Sequence, residues 1–377
     1  MNMKVTCNKN DLVDGIQTIQ AGLSSRTTLP ILMNFLLETE DSFLKLTATD
    51  LEIGVKHYVK AQIEGTGSIA VPAKKFSEML HSFPEGQNVS LSIDSNGKLS
   101  LRCGRSYFLV SGSPKNEYPV FPTVNKEKTF SVLANPILDM ISKTLFSTSL
   151  PEVNHVLSGV FWSADKGKLD MIATDGRRLA VSSQEALPKE ASFQSIIPHK
   201  TLSELLRLAS LHKIDSDSAK KIKITITDNQ IVFEFNQTTL LSRLVSGTFP
   251  NYKRVIPEKT DFSITANTAD LLTSTKRAAL CVGDRGGTVS YSLNSEALKI
   301  SAISPYSEYD DEIPIKYSGN KFDIAFNPAF MVEALKRIDS ESVRMSFTTS
   351  SNPVRVEPEK GKDYFFIIMP MRVEAPV

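Results

Sequence analysis

Cysteine is scarce in this chain, and its placement excludes two classes of protein. The three cysteines, Cys7, Cys103 and Cys281, lie far apart, are odd in number and form no CxxC pair. Neither a disulfide framework nor a zinc ribbon is supported, and free thiols in a reducing compartment are expected. No apolar run approaches the roughly 18 residues of a membrane span, and MNMKVTCNKN lacks the apolar core of a signal peptide, so a soluble cytoplasmic protein is expected. Excess charge is lacking too. Forty-three Lys and Arg stand against 42 Asp and Glu, a net charge of +1. A protein that holds nucleic acid by bulk attraction normally carries a marked basic excess, although local segregation of charge stays open. His57, His81, His155, His199 and His212 are scattered without HExxH or other paired spacing, and Walker A, GxSxG and GxGxxG are all missing. No catalytic centre, metal or cofactor is expected.

What the chain does have is internal repetition, in a length that suits two or three domains. AVPAKKFSEML (70–80), IIPHKTLSELL (196–206) and FNPAFMVEAL (326–335) each read as a strand end, a proline and an amphipathic run. Pro72, Pro198 and Pro328 suit a first helical turn, where the missing N–H costs nothing. Phe76, Leu202 and Val332, then Met79, Leu205 and Leu335, form a core-facing stripe. An earlier helix opens each unit. NDLVDGIQTIQAGL (10–23) aligns Leu12, Ile16, Ile19 and Leu23, NPILDMISKTLF (135–146) starts Asn-Pro as an N-cap and first position, and NTADLLTSTKRAAL (267–280) starts with Asn. β-like segments fill the rest, with Asn-Gly or Asp-Asn at turns. The chain therefore divides into 1–128, 129–258 and 259–377. Each part is an α+β domain with two helices on antiparallel sheets.

The stretch MIATDGRRLA (171–180) looks like chemistry, with a carboxylate beside two arginines. Its sister, Ala48-Thr49-Asp50, stands 125 residues earlier than Ala173-Thr174-Asp175, and the third copy, Ala302-Ile303-Ser304, has lost the Asp. An Asp repeated at the same place suits a brace for a turn better than a catalytic group.

Several segments together are highly specific. TLPILMNFLLE, TATDLEIGV, VPAKKF, ATDGRRLAV, SGTFPNYKRVIP, YSGNKFDIAFNP and the terminal IIMPMRV span the whole chain. By them the sequence resembles the bacterial DNA polymerase III beta-subunit family, the replication sliding clamps. The resemblance implies a head-to-tail homodimer whose six domains close into a ring around double-stranded DNA, with twelve helices lining the hole. Balanced charge fits such a ring, because topology replaces attraction. The lining it implies includes Arg26, Lys74, Lys75, His199, Lys200 and Arg207. His199 stands where the family often has a basic residue, and it is mostly neutral at pH 7 unless its pKa is perturbed.

The resemblance further implies a groove that captures short peptides from the replicative polymerase alpha subunit, the clamp loader, translesion polymerases and repair factors. Its members are Leu157, then Thr174, Gly176, Arg177, Arg178 and Leu179, then Pro250, Arg254 and Val255, and finally Ile367, Met369, Pro370, Met371 and Arg372. Flexible Met side chains suit varied clients, Gly176 allows close backbone approach, and Arg178, Arg254 and Arg372 can hydrogen-bond peptide carbonyls. Phe108 and Val110 of one subunit would pack on Leu280 and Cys281 of the other. Arg177, Asn154 and the segment 281–287 depart from the family's usual residues. The function implied is a non-catalytic processivity subunit, with a triplicated protein-binding scaffold that does not encircle DNA as the alternative.

Overall fold

The computed structural model describes residues 3–24, 27–94, 96–121, 128–216, 220–283, 287–361 and 363–372. The same order of elements runs through the chain three times, with one additional strand, Gln62–Gly65, in the first repeat. The first repeat contains β1 (Lys4–Asn8), α1 (Lys9–Ile19), β2 (Asn34–Glu40), β3 (Phe43–Thr49), β4 (Ile53–Lys60), β5 (Gln62–Gly65), β6 (Ser68–Pro72), α2 (Ala73–His81), β7 (Asn88–Ile93), β8 (Lys98–Cys103) and β9 (Ser106–Ser111). The second contains β10 (Thr129–Leu133), α3 (Ala134–Thr144), β11 (Gly159–Asp165), β12 (Lys168–Thr174), β13 (Arg178–Glu185), β14 (Phe193–Pro198), α4 (His199–Leu211), β15 (Lys221–Ile226), β16 (Gln230–Phe235) and β17 (Thr238–Arg243). The third contains β18 (Phe262–Asn267), α5 (Thr268–Val282), β19 (Val289–Asn294), β20 (Ala297–Ser304), β21 (Ser307–Lys316), β22 (Phe322–Phe326), α6 (Pro328–Leu335), β23 (Ser342–Phe347), β24 (Val354–Pro358) and β25 (Tyr364–Ile368).

Asparagine opens three of the helices. Asn8 Oδ1 accepts from the Asn10 N–H, Asn267 Oδ1 from the Ala269 and Asp270 N–H groups, and Asn327 Oδ1 from the Ala329 N–H, each pairing a donor the helix itself leaves orphaned. Asn135 does otherwise. It lies inside the first turn of α3, not at its cap, and its buried Oδ1 has no hydrogen-bond partner. The prolines also divide. Pro328 takes the first helical position of α6, whereas Pro72 and Pro198 are the last residues of β6 and β14, ahead of the helices. Proline's fixed φ serves either side of such a junction. The stripe is correct in period but shifts by a residue in places: Phe76, Leu202, Leu205 and Leu335 are buried, while Leu80 and Met331 take the core positions expected of Met79 and Val332.

Pairing between strands does not respect the repeats. The described residues form two compact units, one of Met1–Asn135 with Lys200–Leu244, the other of Pro136–His199 with Val245–Val377. The first holds a five-stranded sheet, β5-β1-β7-β8-β9, and an eight-stranded sheet, β10-β15-β16-β17-β4-β3-β2-β6. The second holds a twelve-stranded sheet, β14-β11-β12-β13-β25-β24-β23-β18-β21-β20-β19-β22. Each long sheet thus joins strands of adjacent repeats. In the first unit β17 pairs antiparallel with β4, Leu240 opposite Val55; in the second β25 pairs with β13, Phe366 opposite Ala180. Aligning the repeats on their turns makes Val55 equivalent to Ala180 and Ile53 to Arg178. Ile53 faces Ser242 and Arg178 faces Ile368, so the two junctions share one register.

The β4–β17 junction carries a pair of stacked imidazoles. The rings of His57 and His212 lie 5.3 Å apart, His57 Nδ1 is 2.9 Å from Thr238 Oγ1, and His212 Nε2 is 3.0 Å from Thr18 Oγ1. Burial, then the neighbouring His212, lower the His57 pKa from 6.5 to about 4. A histidine with a depressed folded-state pKa binds fewer protons folded than unfolded between those two values, so stability falls as pH drops through the window. Relative to a His57→Gln variant, the natural protein is expected to lose about 2 kcal/mol in urea unfolding between pH 8 and pH 5. Parallel pH profiles for the two would show that the ring is solvated.

Candidate functional site

The second unit contains the ATDGRR turn, and its hydrogen bonds explain the repeated Asp. Asp175 Oδ1 accepts from the Arg177 and Arg178 N–H groups at 2.9 and 3.0 Å. Thr174 Oγ1 donates to Arg178 O and accepts from the Gly176 N–H. The first repeat does the same: Asp50 Oδ1 accepts from the Glu52 and Ile53 N–H groups, and Thr49 Oγ1 donates to Ile53 O and accepts from the Leu51 N–H. In the third repeat Ser304 substitutes, its Oγ accepting from the Tyr306 and Ser307 N–H groups. A short acceptor that closes a turn is what the position requires.

Gly176 takes φ of +86°, and a Cβ placed there would meet nothing within 4 Å. It supplies the left-handed backbone of the turn and leaves the space above it open. Leu51 holds the equivalent place at φ +78° with a side chain that the region disfavours.

The two arginines separate sharply. Arg178 Nε donates to Asp175 Oδ2 at 3.0 Å, Nη1 to Glu333, and Nη2 to Phe146 O at 2.7 Å. The guanidinium also lies between the Phe146 and Phe330 rings, 5.3 and 4.6 Å from their centroids. Three of its N–H groups are committed in this way, and the side chain also borders the cavity beside the turn. It fastens the turn to the strands and helices around it. Arg177 is exposed, and its carbonyl accepts from the Met369 N–H at 3.0 Å, carrying the chain past the end of β25 beside the turn.

Around this turn is a cavity of about 160 Å³ lined by Leu157, Thr174, Gly176, Arg177, Arg178, Leu179, Pro250, Asn251, Tyr252, Val255, Ile367 and Met369. Its floor is a small core in which Phe161 and Phe249 stack at 5.0 Å with their planes 9° apart, next to Ile172 and Ile367. Of the residues named from the sequence, Arg254, Pro370, Met371 and Arg372 do not line the cavity. Met371 instead bridges to Ala325, its N–H donating to the Ala325 carbonyl at 2.7 Å, and it remains about a third exposed. Asn251 and Tyr252 were not anticipated. The signal was present in FPNYKRV, where an aromatic residue stands in a short helical turn, Tyr252–Val255, between two members already named.

The residues expected to meet DNA are dispersed in role. Lys74 and Lys75 are exposed on α2. Lys200 is paired with Asp50. Arg207 Nε donates to Glu204 at 2.6 Å, and its Nη2 to Thr18 O at 3.4 Å. His199 Nδ1 lies 2.7 Å from Thr148 Oγ1, and burial lowers its pKa against a smaller rise from its hydrogen bond with the Leu145 backbone. It is therefore a neutral ring at pH 7, not a cation. Arg26 lies outside the described residues, as do Asp284, Arg285 and Gly286 of the departing segment.

Among the residues expected at a subunit contact, Val110 is 6% exposed, so its side chain belongs to the core of its own sheet. Phe108 packs on Phe83 at 5.4 Å. The exposed large hydrophobic side chains of β9 are Tyr107 and Leu109, alternate residues of an edge strand. Leu280 is 83% exposed, and Cys281, half-buried, accepts through its carbonyl from Ser307 Oγ at the start of β21. Among the described residues no cluster of side chains suits a metal ion, and no helix is long and apolar enough to cross a membrane.

Comparison with known proteins identifies the family to which this fold belongs. Models of the N-terminal, central and C-terminal domains of the DNA polymerase III beta subunit match residues 3–122, 132–251 and 253–372. The beta sliding clamp of Salmonella typhimurium is 31% identical over 376 residues, covering 98% of this chain and all of that protein, and that of Escherichia coli K12 is 31% identical over 373. A Pseudomonas aeruginosa sliding clamp bound to griselimycin superimposes with a TM-score of 0.91 at 30% identity, over 99% of this chain and all of that one. The Bacillus subtilis sliding clamp gives 0.92 at 28%, with the same coverage. With three domain models in tandem and full-length relatives on both sequence and structure, the chain belongs to the DNA polymerase III beta-subunit family, the DNA sliding clamps.

Proposed function

We propose that two copies of this chain close head to tail into a ring around double-stranded DNA. The domains are 1–128, 129–258 and 259–377, and the work is processivity without catalysis. The carrying observation is the shared register of the two repeat junctions. The same alignment makes β9 the counterpart of β17 and β25, and β21 the counterpart of β4 and β13. β9 is a sheet edge, and in β21 only Ile315 and Lys316 pair with β18. Copying the register places Phe108 opposite Tyr309, Leu109 opposite Glu308 and Tyr107 opposite Asp310 on a second copy. The inward-facing residues of both strands then coincide, as do the outward-facing ones, and exposed Leu280 stands beside the contact. A heterologous contact that repeats an internal one closes a ring instead of a filament when the rotation per repeat fits.

Within the ring, exposed Lys74 and Lys75 supply cations toward DNA, while Lys200 and Arg207 are partly neutralised by their own carboxylates. Such a lining tolerates sliding, because each phosphate contact is weak and replaceable. The protein would then work in the bacterial cytoplasm, associated with the nucleoid. The test is retention. With cognate loader, the protein placed on a nicked circle should survive high salt and leave once the circle is cut. Loss from circle and linear form alike, after confirmed loading at low salt, would overturn the ring in favour of the scaffold reading.

The cavity at the ATDGRR turn is the peptide site for the polymerase alpha subunit, the clamp loader and other clients. Its apolar floor takes their Leu and aromatic side chains, and Met369, 38% exposed, adapts its rim. Replacing both Met369 and Met371 by Ala is expected to weaken a client peptide by about tenfold or more, with the dimer intact in sedimentation. Undiminished peptide binding would remove the assignment.

A further inference from the structure

A second cavity, of about 500 Å³, lies in the first unit on one face of β2, β3 and β4, with the segment 115–121 as its wall. Its floor is a cross-strand row. Leu36 faces Thr47, which faces Lys56, which faces Thr239. The equivalent row of the second repeat, Phe161, Ile172, Val181 and Phe365, is wholly apolar. There Phe249 stacks on Phe161 and fills the surface. Here the equivalent Phe121 sits over Gly54 and Lys56 instead, and the space over Leu36 and Thr47 is left open.

The polar groups of the floor are unevenly matched. Glu38, only 8% exposed, pairs with Lys45 at 3.1 Å and Lys115 at 2.5 Å, and Lys45 also reaches Glu40 at 3.0 Å. Lys56 Nζ rests 3.9 Å from the centre of the Phe121 ring, and among the described residues no carboxylate lies within ion-pair distance of it. Burial, then the charge of Lys45, push its pKa down against opposing pulls from Glu40, Glu38 and Glu234. Thr47 is 2% exposed, and its hydroxyl has no hydrogen-bond partner. A lysine whose ammonium rests on an aromatic ring and a buried hydroxyl without a hydrogen bond face one another across the pair that the second repeat fills with Ile172 and Val181.

We propose that this cavity binds an acidic peptide segment, one carboxylate joining Lys56 and Thr47 while a neighbouring apolar side chain covers Leu36 and Phe121. Val120, 90% exposed on the wall, extends the apolar contact. A nucleic-acid backbone suits the site less well, because its sugar-phosphate chain carries no aliphatic side chain to cover Leu36 and Val120. The occupant is distinct from a client of the ATDGRR cavity, which has no lysine on its lining.

The test is fluorescence anisotropy on the full-length protein. The probe is a fluorescein-labelled Gly-Ser-Leu-Asp-Asp-Val peptide, beside its Asn-Asn counterpart. Binding of the acidic probe at least about tenfold tighter than the amide is expected. The preference should disappear in Lys56→Met and weaken in Thr47→Val. Lys56→Met is isosteric along its stem and relieves a desolvated charge, so its unfolding midpoint should hold and certify the fold. Equal binding of the two peptides, or an unaffected Lys56→Met protein, overturns the proposal. So does loss of binding in the Met369→Ala/Met371→Ala protein, which would move the peptide to the other cavity. Displacement of the probe by oligothymidylate at lower concentration than by unlabelled peptide would give the site to nucleic acid instead.

Discussion

Arg178→Ala is expected to destabilise the protein by roughly 3 kcal/mol in urea unfolding, an effect far beyond that of an ordinary surface substitution. The guanidinium side chain is 11% exposed and its partner Asp175 17%, so deletion removes the donors to Asp175 Oδ2 and the Phe146 carbonyl, while Asp175 Oδ1 keeps its two backbone donors. Glu333, 45% exposed, recovers water and moderates the loss. Two aromatic rings also lose their packing partner. Arg178→Lys should recover only a fraction, because a single ammonium cannot serve three acceptors set around a planar fork. Arg177→Ala one residue earlier should be close to neutral for stability. A loss under about 1 kcal/mol in Arg178→Ala would mean that water already serves the cluster.

The other large effect concerns the contact between copies. With Leu109→Cys and Glu308→Cys in one chain, mild oxidation should convert nearly all of the protein to a covalent dimer. Residues directly opposite in an antiparallel pair have Cα atoms about 4.5–5.5 Å apart, within disulfide range. Cys281 should be changed to Ser for this experiment, since it is half-buried near the contact, whereas Cys7 and Cys103 are buried. Burial and then Asp11 push the Cys7 thiol up to about 12, which keeps it unreactive. The control is Tyr107→Cys with Glu308→Cys, two residues out of register on the same face and about 7–8 Å diagonal. If the control couples better, the register copied from the internal junctions is wrong even if a ring forms.

Threefold repetition, the cap at Asn267 and the structural part played by Asp175 were legible in the sequence, because each is a local requirement, whereas Asn135, expected as a cap, lies inside α3. A turn needing a short acceptor shows itself as Asp50, Asp175 and Ser304 whether or not the chain is folded in view. The two units were not legible. They follow from β17 meeting β4 and β25 meeting β13, contacts between residues that lie far apart along the chain. Local periodicity says nothing of them. The cavity at the ATDGRR turn emerged almost complete from family motifs, yet motifs do not report orientation. Arg177 and Arg178 look interchangeable as letters, and only the fold shows one facing solvent and the other consumed by Asp175, Glu333 and Phe146. Alternation along β9 sends Val110 inward with Phe108 and leaves Tyr107 and Leu109 outside, which the letters alone do not display. Met369 lines the cavity, while Met371 stays about a third exposed beside it in sequence and bridges to Ala325.

The joining of strands across repeats has a consequence for dissecting the chain. Severing it between Leu133 and Lys220 cannot release an autonomous module, since β10 pairs with β15 from the far side of α4. A piece ending near residue 128 would bare the whole outer flank of β4, and a piece of residues 129–258 would bare both β17 and β13. Such naked flanks invite pairing with any passing strand, so isolated repeats should precipitate or assemble into open chains. What looks in the sequence like three beads on a string is, as material, closer to a woven band that frays wherever it is cut.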